Sequence, residues 1–202
     1  LTDLFQKVTR AAEFPKSWKV SRVTPVYKKD KVTDPQNYRP VSVLPTLATT
    51  FERVIMPHLS AFLLPHIPEE QFGFIPDTGT LDVGAVLADQ IAQALQAKKD
   101  VWLVALDFKG AFGKVWWRGL LAHLWAVGVR AKAYMLESYL SDRVLVVASN
   151  GEISKHVGIK SGVPQGAIWS PLLFDLFVRN VPQWVRAALR KACHFYADDL
   201  AL

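Results

Sequence analysis

Two adjacent carboxylates, Asp198 and Asp199, lie in the run Phe195-Tyr196-Ala197-Asp198-Asp199-Leu200-Ala201-Leu202, with apolar residues on both sides. Such flanks predict two short strands with the acids at or near the tight turn between them. Side-by-side carboxylates repel, and burying them is costly unless a cation compensates. A third acid, Asp107, closes the continuous apolar run 101–106, which has the length and composition of a strand buried on both faces. If that strand lies beside the hairpin, three carboxylates converge. With substrate phosphates completing the shell, they supply what two Mg²⁺ ions need for phosphoryl transfer: one ion to activate an attacking hydroxyl, the other to steady the leaving pyrophosphate. The competing reading of the octapeptide is a solvated Asp-Asp turn.

Between these acids sits Gly162-Val163-Pro164-Gln165-Gly166. Two glycines and a proline make a tight loop that can bring backbone close to a ligand, and Gln165 offers a donor and an acceptor there. An ordinary turn before the next helix is the plainer alternative. Arg39, inside the otherwise apolar run 38–44, needs a partner, either an acid or a phosphate. His58, His66, His123, His156 and His194 have no ligand spacing and read as structural or surface residues. Single Cys193 excludes an internal disulfide and a cysteine-built zinc site, and its apolar setting predicts a small core residue.

The elements that must position these groups follow from periodicity. Leu4, Phe5, Val8, Ala11 and Ala12 predict a helix ended by Pro15, and residues 18–27 predict a strand running into the charged turn Lys28-Lys29-Asp30-Lys31. Residues 38–44 form the return strand. Residues 46–64 carry a helical face that Pro57 should kink or split. Gln71-Phe72-Gly73-Phe74 opens a new unit; Leu81, Ala85, Ala88, Ile91, Ala92 and Leu95 then predict a second long helix ending in Lys98-Lys99. Helices are expected over 117–127, with Gly128 as the stop, and over 131–140. Asn150-Gly151 between apolar runs marks a hairpin, and Ser170-Pro171 opens a helix with Ser at the N-cap and Pro at N1. Trp116, Trp117 and Trp125 read as packing residues of these helices.

The chain has 202 residues, 50% hydrophobic and 21% charged, enough for one large core or two small ones. Its net charge of +6 is concentrated in the first third, which suits a polyanionic partner. No apolar run reaches membrane-spanning length and no secretory leader is visible, so an intracellular protein of nucleus or cytoplasm is expected. The chain starts at Leu1 and stops just past the acid pair, and it reads as a segment of something longer. The sequence sets no oligomeric state.

These residues resemble the reverse transcriptase domain of non-LTR (LINE-type) retrotransposons. The matching stretches are Tyr38-Arg39-Pro40-Val41-Ser42, Gln71-Phe72-Gly73-Phe74, Leu106-Asp107-Phe108 with Ala111-Phe112, Gly162 to Gly166 with Ser170-Pro171-Leu172-Leu173-Phe174, and the terminal octapeptide. They occur in the family's order and cover nearly the whole chain. Group II intron reverse transcriptases, which share the last motif, are the second choice. The resemblance implies an α+β right-hand polymerase: fingers over 1–100, a palm over 101–202 with an antiparallel sheet, packed helices and a fingers-like insertion at about 117–160, and a thumb missing. It implies an RNA-directed DNA polymerase that extends a DNA primer on an RNA template with deoxynucleoside triphosphates. Asp107, Asp198 and Asp199 would be the catalytic acids, and with the Phe108 carbonyl would hold two Mg²⁺ ions, or Mn²⁺. Lys28 or Lys29 and Arg39 would hold the triphosphate, Phe112 would stack under the sugar and exclude a 2′-hydroxyl, and Gln165 and Gly166 would sit by the nascent base pair.

Departures from the family pattern set up a second reading. Gly113 stands where the family has Asp, Thr50 lies near where it often has Lys, and Ala167 and Trp169 replace a small polar and an aliphatic residue. The family's basic loop reads Ile75-Pro76-Asp77-Thr78-Gly79-Thr80 here, without a cation. On that reading the chain is a decayed remnant that at most binds nucleic acid. A palm polymerase copying RNA into RNA is a third reading, opposed by the bulk of Phe112.

Overall fold

The computed structural model describes residues 1–130, 133–149, 151–189 and 193–202. Helix α1 (Thr2–Ala11) ends at Ala12, whose left-handed backbone (φ 51°) closes it before Pro15 is reached. A short 3₁₀ turn (Lys16–Trp18) leads into β1 (Val20–Tyr27), and β2 (Tyr38–Val43) returns antiparallel to it, from Arg22 opposite Val43 to Tyr27 opposite Tyr38. Helix α2 (Thr46–Leu63) runs unbroken through Pro57, contrary to the expected split. Its Ala48, Phe51, Glu52 and Leu63 are buried, and packing of that face outweighs the one backbone hydrogen bond a proline removes.

Helix α3 (Thr80–Gln96) forms where the spacing placed it, but none of its residues is buried and Leu81 is 86% exposed. The run 101–106 is corrected more sharply. Only β3 (Ala105–Asp107) is a strand, it forms the edge of a three-stranded sheet, and every residue from 101 to 107 is exposed. A continuous apolar run predicts the strand; it carries no information on whether a second layer covers it.

Helices α4 (Trp117–Ala126) and α5 (Ala133–Leu140) pack on each other, with Gly128 at φ 92° just past the end of α4. Of the three tryptophans assigned to packing, Trp117 is half-buried, while Trp116 and Trp125 are exposed. Strand β4 (Val144–Ser149) turns into β5 (Glu152–Ile153) with Ser149 opposite Glu152, as the Asn150-Gly151 signal required; Gly151 has φ 84°, and Asn150 lies outside the described residues. Strand β6 (Val157–Gly158) pairs with β4. Because β4 lies parallel to β1, from Val20 opposite Val144 to Val23 opposite Val147, strands from both halves of the chain share one five-stranded sheet.

Helix α6 (Ser170–Val178) begins one residue earlier than expected: Trp169 occupies the cap position, Ser170 is the first helical residue, and its hydroxyl has no partner. Seven of its nine residues are buried, including Leu172, Leu173, Phe174 and Leu176. They join Phe14, Trp18, Phe51, Tyr139 and Trp169 in the main core, where aromatic rings meet largely edge-on; Phe14 and Tyr139 stand 5.1 Å apart at 88°. Helix α7 (Val181–Leu189) follows. The last hairpin is β7 (His194–Tyr196) and β8 (Asp199–Ala201), giving the sheet order β3-β8-β7, antiparallel throughout. Cys193, Phe195 and Leu200 form a small second core there. Among the described residues, no helix is long and apolar enough to cross a membrane.

Candidate active site

The hairpin places Asp198 in the turn and Asp199 at the first position of β8. Strand β3 pairs with β8 so that Asp107 stands opposite Asp199, and the Phe108 N–H reaches the Asp198 carbonyl at 3.4 Å. Two segments about ninety positions apart in the chain therefore bring Asp107, Asp198 and Asp199 to one end of one small sheet. Asp198 is half-buried and its carboxyl is pushed above the usual range, first by burial, then by the charges of Asp199 and Asp107, with Arg39 pulling it back. Asp107 and Asp199 are exposed, so the expectation of a buried Asp107 is corrected together with that of its strand.

This donor set has a definite character. Among the described residues, no group of three or more His, Cys, Asp or Glu side chains is ready to hold a metal by itself. A structural zinc site needs such a closed set, whereas Mg²⁺ takes one or two carboxylates and fills its octahedron with water and substrate phosphates. Asp107, Asp198 and the Phe108 carbonyl fit the second pattern. That carbonyl already accepts from the Ala111 N–H at 3.1 Å and keeps a second lone pair.

Of the other candidates, Arg39 lies close enough for its charge to act on Asp198. Lys28 and Arg39 are exposed near the tip of the β1–β2 hairpin, where Arg39 pairs with Val26 and the Lys28 N–H donates to the Asn37 carbonyl at 2.8 Å. Exposure removes the need for a protein partner to Arg39 that burial would have imposed. Phe112 is half-buried, stacked on Phe174 at 5.1 Å and 12° and met edge-on by Phe74 at 6.0 Å.

The close approaches of the glycine loop are to the protein's own backbone. A Cβ on Gly162 (φ 88°) would stand 2.7 Å from Gly113, and one on Gly166 (φ 118°) 2.5 Å from the Ser42 carbonyl oxygen. The Gly162 and Val163 N–H groups donate to the Val115 and Phe112 carbonyls, and the Gln165 carbonyl accepts from the Ser42 N–H, each at 2.8 Å. The loop thus ties β2 to the segment after Asp107, and an exposed Gln165 side chain borders a cavity of about 380 Å³ together with Pro40, Ser42 and Ser161. Gly113 lies within a 3₁₀ turn (Ala111–Lys114) and does not cap a helix.

Two residues outside the candidate set hold this end together. Glu52, fully buried on α2, accepts from the Ile168 and Trp169 N–H groups at 2.7 and 3.2 Å, just before α6. Burial raises its pKa, and those two hydrogen bonds, with Arg143 and Tyr139, oppose the rise. Its position four residues after Ala48 on an apolar face was the available signal. Gln71 is the other. Its side chain reaches the turn beside Asp198, and nothing in local spacing reveals a contact across 126 residues.

A helix-backed antiparallel sheet presenting carboxylates at its hairpin turn, joined to a second sheet through a glycine loop, defines a palm-and-fingers nucleotidyltransferase fold. Residues 26–202 match the family described as "Reverse transcriptase (RNA-dependent DNA polymerase)", and the chain belongs to it. It is 32% identical to the "Probable RNA-directed DNA polymerase from transposon BS" of Drosophila melanogaster over 98% of this chain and 23% of that protein. It is 31% identical to the "RNA-directed DNA polymerase from mobile element jockey" of the same fly over 89% of this chain and 20% of that protein. The chain thus spans about a fifth to a quarter of these non-LTR retrotransposon relatives. Among solved structures, apo telomerase from Candida tropicalis shares the fold with a TM-score of 0.65 at 11% identity, covering 98% of this chain and 47% of that one.

Proposed function

We propose that the protein containing this chain is an RNA-directed DNA polymerase that extends a DNA primer on an RNA template using deoxynucleoside triphosphates. The observation that carries this reading is the pairing of Asp107 with Asp199 in the β3–β8 register, with Asp198 in the adjoining turn. Asp107, Asp198 and the Phe108 carbonyl would hold two Mg²⁺ ions, with Asp199 in support and Mn²⁺ as a substitute. Bound there, the ions would supply the charge that activates a primer 3′-hydroxyl and stabilises the departing pyrophosphate.

The chain's own side chains do the rest. Arg39 forks onto triphosphate oxygens and Lys28 or Lys29 adds a point charge. Phe112, braced by Phe174 and Phe74, stacks under the sugar and leaves no room for a 2′-hydroxyl. Gln165 and Gly166 flank the nascent base pair at the edge of the cavity shared with β2. In this reading, residues 1–100 act as fingers and 101–202 as palm, with a fingers-like insertion at about 117–160. Its substrates belong to nucleus and cytoplasm, where the activity would reside.

The test is primer extension by the complete protein on an RNA template with Mg²⁺. Activity should require the metal, prefer deoxynucleotides and fall to background in D198N. Extension surviving D198N would reject the assignment, and a preference for ribonucleotides would move the protein to the RNA-copying class.

A further inference from the structure

The side-chain amide of Gln71 is bonded to both polar groups of a single residue, Ala197, which immediately precedes Asp198. The Ala197 N–H donates to Gln71 Oε1 at 3.0 Å, and Gln71 Nε2 donates to the Ala197 carbonyl at 3.2 Å. The same Oε1 accepts from the Gly73 N–H at 2.9 Å, and Gln71 is only 4% exposed. Backbone bonds flank this clamp: the Phe195 N–H donates to the Glu70 carbonyl at 2.7 Å and the Phe72 N–H to the Phe195 carbonyl at 2.8 Å. Ala197 has φ 58°, a left-handed conformation that alanine adopts where its surroundings enforce it. Gly73 clears the space, since a Cβ there would stand 2.1 Å from the Ala197 nitrogen.

We propose that Gln71 is a positioning residue for Asp198: its amide sets the plane of the Ala197–Asp198 peptide and so the place from which the Asp198 carboxylate meets Asp107. The inference rests on the polymerase reading for what Asp198 does, but not for how it is held. The carbonyl gripped by Nε2 belongs to the peptide that carries Asp198. A rotation of that peptide swinging Asp198 aside would break the bond and strand a buried amide and a buried carbonyl without partners. A plain structural clip would change stability alone. A positioning residue changes cation binding and turnover in protein that is still folded.

The complete protein is compared as wild type, Q71M and Q71E. Three quantities are read below the melting temperature: affinity for Mn²⁺ alone by electron paramagnetic resonance, hydrogen exchange of the peptide spanning 195–199, and kcat and KM in primer extension. Q71M removes all three bonds, including that from the Gly73 N–H, while keeping shape. It should weaken Mn²⁺ binding about 10-fold or more, speed exchange of the turn, and lower kcat on the order of 10²-fold with the deoxynucleotide KM little changed. Q71E keeps the acceptor but, ionised, lacks the donor. Its deficit should shrink as pH falls and the carboxyl gains a proton that can be donated to the Ala197 carbonyl, a trend the wild type does not share.

Unchanged Mn²⁺ affinity and kcat in folded Q71M overturn the proposal. If Q71M fails to fold, the pH trend of Q71E decides, and its absence overturns the proposal. A wild type without primer extension sinks the polymerase reading, while Mn²⁺ affinity and turn exchange still decide the role of Gln71.

Discussion

Asp175 sits on the buried face of α6 with neither carboxyl oxygen hydrogen-bonded among the described residues, and burial raises its pKa from 3.8 to about 8. It is therefore held protonated in the fold at neutral pH, while the unfolded chain ionises it freely. A raised folded-state pKa contributes stability that is complete below about pH 4 and is lost progressively as pH rises towards 8. At ~1.4 kcal/mol per pKa unit, the loss across that window is bounded at roughly 6 kcal/mol. D175N removes the ionisation but keeps the shape. Denaturant unfolding should find it more stable than wild type at pH 8 by ~2–4 kcal/mol, with the difference vanishing near pH 4. Parallel stability curves for the two proteins from pH 4 to 8 would contradict the assignment. No sequence pattern announced this group, since Asp175 is the one charged residue of a largely apolar helix and its burial is a tertiary fact. The acid pair Asp198-Asp199 was legible for the opposite reason: adjacent acids between apolar flanks are a local signature. Gln71 was visible only as part of a motif, because its role is a side-chain-to-backbone contact between distant segments.

At the scale of elements, the glycine loop shows how two positions of one residue type come to opposite demands. Gly162 combines φ 88° with a missing Cβ that would press on the Gly113 backbone at 2.7 Å, and a Cβ on Gly113 would meet nothing within 4 Å. G162A should destabilise the fold by more than ~1 kcal/mol, whereas G113A should be neutral or stabilising by up to ~1 kcal/mol through the unfolded chain. Thermal unfolding of the two variants checks the pair, and equal shifts of the same sign would refute the geometry. The open space at Gly113 also means that the Cβ of a larger residue there meets nothing within 4 Å. The loop's tightness was readable from its two glycines and proline. That its neighbours are Ser42 and Gly113 was not, for the same reason that the parallel pairing of β1 with β4 was hidden: composition records what an element buries, not which distant element covers it. Pro57 taught the complementary lesson, since a local rule against proline yielded to the burial of one helix face.

For the molecule as a whole, the two sheets differ in how they are covered. The five-stranded sheet contributes Val23, Val146 and Ala148 to buried positions, and the main core lies under α2, α5 and α6. The three-stranded sheet carries the acids on an open edge: Val101, Trp102, Leu103, Val104 and Leu106 are all exposed, Trp102 at 87%. An apolar edge strand with free backbone groups is a template for pairing with another chain. A preparation of these 202 residues should therefore self-associate as concentration rises. Trp102 would bury one of the largest apolar side chains in such a contact, and placing a cation at that position both removes the area and adds repulsion between copies. Sedimentation velocity across a concentration series should show W102K remaining monomeric at concentrations several-fold above those at which the parent associates. Because Trp102 lies outside β3 and touches none of the acids' hydrogen bonds, unfolding transitions of the two chains should coincide. Equal association of W102K and the parent would show that the open edge of this sheet is not the adhesive surface.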